Sequence, residues 1–423
     1  MSDNSRRLCL ATLFVAFGFM LRLGIAIAQG LDRAPEPSTD SEEYDTYAWN
    51  LAQGRGYRGM SPDVPDRDHL TAYRPPGASV LWAALYLAFG HRYDVVRIAN
   101  CFMGAASVAL VYAVGARAFA PTVGLLAAAA YSVWPVALYF SSALLSEVPG
   151  TLLFLGYLLA CLRFAERPSW TGSALAGALL GFAVLTRPNP LYMIPLTGIW
   201  ALWQFRGDRR SICLGLAIPL FSAIAMSPWW VRNAMVFRRF IPISTMGGSV
   251  LLQGNNRIVA TDPDLYGYSF WDAKIPEYRD SLRAAGDELA RDQLAGRLAI
   301  EWLKANQSLW PQMAMNKIQR GWTPFLQPKT PLVQRIGTLL SWGPVLVLFL
   351  IGFFPTLIGF LRKGRPGWLL HLVVLGSLPM TILLFGELRY RFTFEPICIM
   401  IASATAVWTS QRILSSALRS PSR

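Results

Sequence analysis

Charged side chains are scarce in this sequence. Asp, Glu, Lys and Arg make up only 15% of its 423 residues, whereas soluble domains carry about 25%. Hydrophobic residues make up 53%, with 15 Trp and 23 Phe, and they fall in repeated apolar runs. This composition argues against an ordinary soluble protein and predicts an all-α polytopic membrane protein.

Cysteine and histidine are also few, which narrows the possible metal chemistry. The five cysteines lie in or beside apolar runs and none forms a CxxC pair, so neither a disulfide framework nor a thiolate metal site is expected. The three histidines, His69, His91 and His371, are scattered. No metal ligand is therefore assigned, although carboxylates alone can hold a hard divalent cation, and that alternative stays open.

The net charge of +14 does not indicate a nucleic-acid partner. Most arginines lie in short loops between apolar runs, where positive charge fixes the orientation of a membrane protein. The expected partner is the membrane itself. The basic loops are at 6–7, 117, 163–167, 206–210, 362–365 and 412–423.

A count of apolar runs predicts about ten transmembrane helices. With ten crossings, every basic loop lies in the cytoplasm, but only if the short apolar segment 78–90 does not cross. Its 13 residues are too few for a ~30 Å hydrocarbon core, which needs about 20 helical residues. We expect it to lie along the outer interface or to dip in and return. The spans are 8–28, 94–116, 121–140, 145–163, 172–187, 189–204, 211–233, 336–361, 366–386 and 390–411.

The first apolar run allows two interpretations. Ala26-Ile27-Ala28 resembles a signal-peptidase site, but the run is long for a secretory signal and many spans follow. These features favour a retained anchor. Both interpretations place residue 29 outside the cytoplasm.

The spans divide the chain into three parts. Residues 1–233 form an N-terminal membrane module with an acidic first outer loop at 29–77, residues 234–335 form an outer region, and residues 336–423 carry the last membrane helices. The outer region opens with an irregular or strand-like piece and continues with helical patterns near 276–305 and 308–322. It is therefore expected to be small and mixed or helical.

Carboxylates cluster in the first outer loop, where four fall within six residues: Asp40, Glu42, Glu43 and Asp45. Tyr44, Ala48 and Leu51 would form an apolar stripe on a helix that begins near Ser41. Asp40 would then lie at or just before the N-cap, where free N–H groups favour a carboxylate. We interpret Glu42 and Asp45 as a solvated face, and Asp40 as either a cap or a candidate general base.

Cationic residues occur at three separate points on the same predicted outer face. Arg74 precedes two prolines, Arg187 lies between two apolar runs, and Arg389 and Arg391 follow Glu387. Each has an ordinary explanation, such as an interfacial arginine or an ion pair with a residue such as Glu147. Together they indicate a site for an anionic lipid head group.

These residues resemble a known family. The first outer loop resembles that of lipid-carrier-dependent glycosyltransferases, which include the protein O-mannosyltransferases and bacterial aminoarabinose transferases. The resemblance covers about residues 8–400. Its motifs are Asp40-x3-Tyr44-x3-Ala48-x-Asn50-Leu51-Ala52-x-Gly54-x-Gly56-Tyr57, Tyr73-Arg74-Pro75-Pro76, Ser146-Glu147, Leu185-Thr186-Arg187-Pro188, Pro228-Trp229-x2-Arg232-Asn233, Gly254-Asn255-Asn256 and Glu387-x-Arg389-Tyr390.

The resemblance implies a membrane glycosyltransferase of the C-type fold. Such an enzyme moves a sugar from a polyprenyl-phosphate carrier to a hydroxyl or similar acceptor on a lipid, glycan or protein, with inversion. Asp40 matches the family's acidic position, and where several relatives carry Asp-Glu this chain has Ser41, so Glu43 or Glu42 can supply the second acid. The resemblance implies a carrier-phosphate contact for Arg74, while Arg187 and Arg389 match family positions without an assigned role. From the shared cationic face, Arg187, Arg389 and Arg391 are further candidates for the carrier phosphate, and the supporting candidates are Tyr44, Tyr73, Glu147, Glu387 and Tyr390.

Two other functions stay open. The first is a transporter or flippase for a lipid-linked sugar, although such proteins place charges near the bilayer midplane and most charges here lie at the ends of spans. The second is a non-catalytic subunit that presents a substrate. The expected location is the bacterial inner membrane, with the site on its outer face.

Overall fold

The computed structural model describes residues 3–61, 68–326 and 330–417. Within these ranges the chain is helical, and its only β-type contact is an isolated bridge between Arg58 and Leu70. Short 3-10 turns and loops join the helices. The α-helices are α1 Asp3–Gln29, α2 Asp40–Ala52, α3 Gly77–Phe89, α4 Tyr93–Ala118, α5 Pro121–Ser132, α6 Pro135–Ser141, α7 Glu147–Glu166, α8 Trp170–Thr186, α9 Met193–Gln204, α10 Arg209–Phe237, α11 Gly247–Gly254, α12 Arg257–Thr261, α13 Arg279–Arg283, α14 Glu288–Ala305, α15 Trp310–Trp322, α16 Leu332–Arg362, α17 Leu369–Leu383, α18 Leu388–Arg391 and α19 Glu395–Ala417.

Six helical segments of the described chain are long and apolar enough to cross a membrane, so this is a multi-pass membrane protein. A seventh span results if α5 and α6, which meet at 56°, form one broken crossing. The expected number of about ten is not confirmed. The six segments are Ser5–Gln29, Tyr93–Ala118, Glu147–Glu166, Arg209–Phe237, Leu332–Arg362 and Pro366–Leu383.

Proline explains part of the difference between the expected number of spans and the number of candidate spans. The predicted spans 172–187 and 189–204 correspond to α8, which has 17 residues, and to a 3-10 turn followed by α9, which has 12. Pro188 and Pro190 lie between the two helices and prevent a continuous one, since proline lacks the N–H group that a helix interior requires. The predicted span 390–411 likewise begins only at Glu395.

Helix α3 is the short apolar segment whose path decides the predicted topology. It packs along α2, with Ser79 Oγ donating to Tyr44 O over 3.0 Å and Tyr86 OH donating to Asp45 over 2.5 Å. Tyr44 and Trp82 are buried between the two helices. Because both ends of α3 contact α2, the helix lies beside the first loop.

Asp45 does not lie on a solvated face, so that expectation is wrong. Its carboxylate is buried and is contacted by Tyr86 OH and by His91 Nε2, the latter at 3.0 Å. The reason is tertiary, because α3 covers this side of α2. Of the predicted stripe, Tyr44 and Ala48 are buried and Leu51 is half-buried.

The bend between α5 and α6 is held by polar groups in the interior. Arg22 of α1 is fully buried and donates to Ser132 O over 3.1 Å, at the point where α5 ends. Trp134 Nε1 donates to Glu395 Oε2 over 2.7 Å. These contacts satisfy groups that the break would otherwise leave unpaired, and they fix α6, which leads to Glu147.

The outer region opens with an irregular piece at 238–246, one of the two expected alternatives, and continues as helix α11 rather than as a strand. Helix α14 begins at Glu288 rather than near 276. A small hydrophobic cluster of its own holds the region together, built from Leu252, Ile275, Leu282, Ala295 and Ala299.

Candidate active site

Six charged side chains form a chain of alternating sign, which we call the ion chain. It joins the first outer loop to the start of α7, the end of α8 and helix α18. Its members, in order of contact, are Glu43, Arg74, Asp40, Arg389, Glu147 and Arg187.

Asp40 lies at the middle of the ion chain. Its Oδ1 accepts from Arg74 Nη2 over 2.6 Å, and its Oδ2 accepts from Arg389 Nη1. Arg74 also donates from Nε to Glu43 Oε2 over 2.6 Å. Both carboxylate oxygens of Asp40 are therefore bound to guanidinium groups.

Local structure brings these groups together. Asp40 and Glu43 stand three residues apart in the first turn of α2, on one face of the helix, and free N–H groups at this end favour carboxylates. Arg74 stands just before two prolines that end the extended loop, and Tyr57 OH lies 3.1 Å from its carbonyl oxygen. Arg187 directly follows α8, where Pro188 stops the helix.

Glu147 is the buried anion of the ion chain and has no exposed surface. Its Oε1 lies 3.0 Å from Arg187 Nη1 and also accepts from Arg389 Nε. Its second oxygen has no hydrogen-bond partner. Glu147 thus holds two arginines at one place, while Arg187 Nη2 donates to Arg389 O over 2.8 Å.

The surroundings shift the pKa values of the two α2 carboxyls in opposite directions. Burial opposes ionisation of Asp40, but the charges of Arg74 and Arg389 outweigh burial and hold the pKa of Asp40 at about 2. For Glu43, burial dominates over the charge of Arg74 and raises the pKa of that carboxyl. Burial likewise opposes the charged form of Arg389, but Glu147 and Asp40 outweigh it, so the pKa of Arg389 lies above its ordinary value.

A cavity of about 350 Å³ adjoins the ion chain. Its polar end is formed by the three arginines of the ion chain together with Ser146, Asn189 and Tyr390. Asp40 binds Arg74 and Arg389, and Glu43 binds Arg74, but neither carboxylate lines the cavity. The rest of the wall is mainly apolar and comes from α17, the 3-10 turn after α8 and segment 242–250. The full lining is Tyr44, Arg74, Pro75, Ser146, Arg187, Pro188, Asn189, Leu191, Tyr192, Pro242, Ile243, Ser244, Met246, Gly247, Val250, Ser377, Met380, Thr381, Leu384, Phe385, Arg389, Tyr390, Thr393 and Phe394.

Arg391 does not join the other predicted phosphate-binding residues. It is buried away from the cavity, donates to Glu395 Oε1 over 2.8 Å and to Gly321 O over 2.9 Å, and lies 3.8 Å over the ring of Trp342. It stands only two residues from Arg389, but residues at that spacing do not share a helix face. Arg391 therefore has a packing role.

The predicted supporting residues divide between the cavity and its surroundings. Tyr44 and Tyr390 line the cavity, and burial raises the pKa of Tyr390 to about 12, so this phenol stays neutral. Tyr73 is buried with its ring 5.1 Å from the Arg74 guanidinium. Glu387 accepts from Ser269 Oγ over 2.5 Å, which ties the segment before Arg389 to the outer region.

The cavity wall at 242–250 was missed by sequence reasoning. No charged residue marks it, and only Gly247 and Gly248 distinguish it from an ordinary loop. No charge marks Asn189 in the sequence either, yet its Nδ2 donates to Tyr390 O over 3.2 Å. No group of three or more His, Cys, Asp or Glu side chains is placed to hold a metal ion in the part of the chain that the structure describes.

The cavity has a cationic end beside an apolar wall. This arrangement agrees with the match of part of the chain to one protein family. Residues 73–231 match the family model for dolichyl-phosphate-mannose-protein mannosyltransferase. This range includes Arg74, Glu147 and Arg187 but neither Asp40 nor Arg389. No curated protein matches the chain.

The fold is similar to solved structures of the archaeal oligosaccharyltransferase AglB from Archaeoglobus fulgidus. Its complex with an inhibitory peptide and a dolichol-phosphate has a TM-score of 0.59 and 16% identity, over 100% of this chain and 52% of that chain. Its complex with Zn and sulfate has a TM-score of 0.56 and 13% identity, over 96% and 49%. The chain thus spans about half the length of these structures.

A weaker likeness is to ArnT from Cupriavidus metallidurans bound to undecaprenyl phosphate, with a TM-score of 0.40 and 14% identity over 96% of this chain and 78% of that chain. The family match and the AglB likeness confirm the expected resemblance to lipid-carrier-dependent glycosyltransferases of the C-type fold.

Proposed function

We propose that this protein is an inverting glycosyltransferase that moves a sugar from a polyprenyl-phosphate carrier to a hydroxyl or similar acceptor. One observation carries the proposal, namely that three arginines, two of which are paired with Asp40, converge at the polar end of a cavity whose other walls are mainly apolar. An amphiphilic substrate with an anionic head and a hydrocarbon tail fits such a cavity. The family match and the fold of an oligosaccharyltransferase support the same function.

The carrier phosphate would bind at the guanidinium groups of Arg74, Arg187 and Arg389. Arginine suits this position because its planar fork donates two parallel hydrogen bonds to a phosphate. The prenyl chain would follow the apolar wall formed by α17. Asn189 and Ser244 also line the cavity and can contact the sugar.

The arginines would act mainly on the leaving group. Sugar transfer passes through an oxocarbenium-like state while the carrier phosphate departs with growing negative charge. Donors already placed at that charge stabilise the transition state, and the loss of one such donor costs about 3 kcal/mol. Inversion requires one base on the opposite face of the sugar and no covalent intermediate.

Asp40 would be that base, but only after its own ion pairs are exchanged. A carboxylate bound to two guanidinium groups, with a pKa of about 2, is a poor proton acceptor. An incoming carrier phosphate competes for the same N–H groups of Arg74 and Arg389, which frees Asp40 and raises its pKa. Arg389 would stay at the cavity meanwhile, because Glu147 holds its Nε.

Glu43 is the second acid of this proposal. It bonds to Arg74, and its raised pKa suits a group that accepts a proton from Asp40 or orients the acceptor. Neighbouring carboxyls with separated pKa values commonly divide acid and base roles in this way.

The donor set at this site does not fit a bound divalent cation. The two carboxylates of α2 are already paired with Arg74 and Arg389, and a cation there would have to displace a guanidinium group while facing three positive charges. Although the archaeal relative is described with Zn and sulfate, we derive no metal step for this chain.

The proposed location is the inner membrane of a bacterium, with the site on the outer face, and the acceptor would be a lipid, glycan or protein. The test is mass spectrometry of cell-envelope glycans from a strain that lacks the gene. We expect one sugar modification to disappear and to return with the wild-type gene but not with D40N at equal expression. Movement of lipid-linked sugar across vesicles without any acceptor would favour the flippase instead, and unchanged glycans would contradict both functions.

A further inference from the structure

Glu288 is a buried carboxylate of the outer region that contacts the loop carrying Arg74. It is the first residue of α14. Its Oε2 accepts from Thr71 Oγ1 over 2.5 Å and its Oε1 accepts from Ala72 N over 2.7 Å. His69 Nε2 also lies 3.6 Å from Glu288 Oε2. These partners all lie two to five residues before Arg74, and hydrogen bonds to a charged carboxylate are stronger than neutral ones.

The same loop segment is fixed from the membrane side. Arg232 of α10 donates from Nη1 to Thr71 O over 2.8 Å and from Nη2 to Tyr57 O over 3.1 Å. The hydroxyl of Tyr57 in turn lies 3.1 Å from Arg74 O. The backbone two residues before Arg74 is thus held between α14 and α10.

The first turn of α14 also holds the opposite wall of the cavity. Asp292 Oδ1 accepts from Gly248 N over 2.8 Å and from Ser249 N over 3.0 Å, which caps α11. Arg291 donates to Ser249 Oγ over 2.8 Å. The segment around α11 supplies Met246, Gly247 and Val250 to the cavity lining.

The two walls are also joined directly, since Thr245 N donates to Ala72 O over 3.0 Å. The approach is close, because a Cβ on Gly248 would lie 1.9 Å from Asp292 O. Glu288, Arg291 and Asp292 stand at positions i, i+3 and i+4 and share one helix face. The start of α14 therefore holds both the loop that carries Arg74 and the part of the cavity wall that includes α11.

We propose that Glu288 is a positioning residue that sets the place of Arg74 in the carrier-phosphate site, an inference that rests on the proposed function. It touches neither the cavity nor the reacting atoms, and it acts through Thr71 and Ala72. A displacement of about 1 Å at a binding group can lower the rate of a reaction roughly 100-fold. A carboxylate that fixes the chain at Thr71 and Ala72 therefore sets the position of Arg74.

The test measures the affinity for undecaprenyl phosphate in nanodiscs that contain the full chain. We expect E288Q to weaken binding about tenfold, which corresponds to about 1.4 kcal/mol, because an amide oxygen can replace only one of the two acceptor atoms. E301Q is the matched control, since Glu301 is an exposed carboxylate on the same helix, and it should bind as the wild type does.

A double-mutant cycle separates positioning from general stability. In an R74A background, E288Q should cause no further loss of affinity, because the group it positions is gone. T71V removes one of the two bonds without changing Glu288 and should lower the affinity in the same direction. Amide exchange at Ala72 should be faster in E288Q than in E301Q.

Two results would overturn the inference. The first is wild-type affinity in both E288Q and T71V, and the second is a loss in E288Q that persists in full when Arg74 is absent. A wild-type protein that does not bind undecaprenyl phosphate would instead overturn the proposed function and this inference with it. Loss of E288Q expression with normal affinity in T71V would assign Glu288 a role in folding only.

Discussion

The guanidinium of Arg389 contacts the carboxylate of Asp40, although 349 positions separate them in the chain. This contact closes the ion chain between the first outer loop and the segment before the last helix. Since Arg389 also binds Glu147, one side chain connects the candidate base to a fully buried anion. The proposed chemistry depends on the exchange of this contact for a carrier phosphate.

Removal of Arg389 should abolish most transfer activity. R389A is expected to lower the transfer rate about 100-fold or more, because a donor at the leaving phosphate contributes about 3 kcal/mol. R239A is the matched control, since Arg239 is an exposed arginine of the outer region. Transfer to the native acceptor in membranes with equal protein levels is the measurement, and equal rates for the two variants would contradict the assignment.

D40N should separate catalysis from carrier binding. Transfer should fall to background, because an amide cannot accept the acceptor's proton. The affinity for undecaprenyl phosphate should stay equal or increase, because Asp40 no longer competes for the N–H groups of Arg74 and Arg389. E42Q serves as control. A D40N protein that transfers normally, or that loses carrier binding, would remove Asp40 from the proposed role.

The low pKa of Asp40 gives a stability difference with a defined sign. The pKa of the folded state is about 2 and lies below the unfolded value of about 3.9. The stabilisation from the carboxylate is therefore complete above about pH 4 and is lost as the pH falls toward 2. D40N should melt at a lower temperature than the wild type at pH 6, and the gap should narrow as the pH is lowered to 3.

The measurement is thermal unfolding of both proteins in nanodiscs, followed by tryptophan fluorescence. If the difference in melting temperature between wild type and D40N widens as the pH is lowered, the arginine partners do not hold Asp40 in its ionised form.

Arg391 should behave differently from Arg389. R391A leaves Glu395 buried without its partner, and such a loss typically costs about 3–5 kcal/mol of stability. The amount of folded protein should therefore fall, while the fraction that folds should bind undecaprenyl phosphate with normal affinity. Binding measured per folded molecule, after size-exclusion chromatography, tests this. Normal yield with impaired binding would return Arg391 to the phosphate site.

The candidate site residues could be predicted where a charged residue lies at a position that is unusual for charge in membrane proteins. Arg74, Arg187 and Arg389 are cations on the side where positive charge is not expected, and the structure brings them together. Their partners Asp40, Glu43 and Glu147 followed from the same reasoning and from the family resemblance.

Features that depend on packing between distant elements could not be predicted. Asp45 is buried because α3 covers α2, and Arg391 faces Glu395 because α18 turns into α19. The cavity wall at 242–250 consists of uncharged loop and α11 residues that α14 holds in place. The expected number of spans is not confirmed, in part because Pro188 and Pro190 interrupt apolar segments whose hydropathy alone resembles that of full crossings.

The measurement that tests the central claim most directly is the envelope-glycan profile of a deletion strain that expresses a variant with Arg74, Arg187 and Arg389 all replaced by alanine. If these arginines hold the carrier phosphate, cells that contain equal amounts of folded variant and wild-type protein should differ, and the variant should still give the profile of the deletion strain. A wild-type glycan profile from that variant would contradict the account.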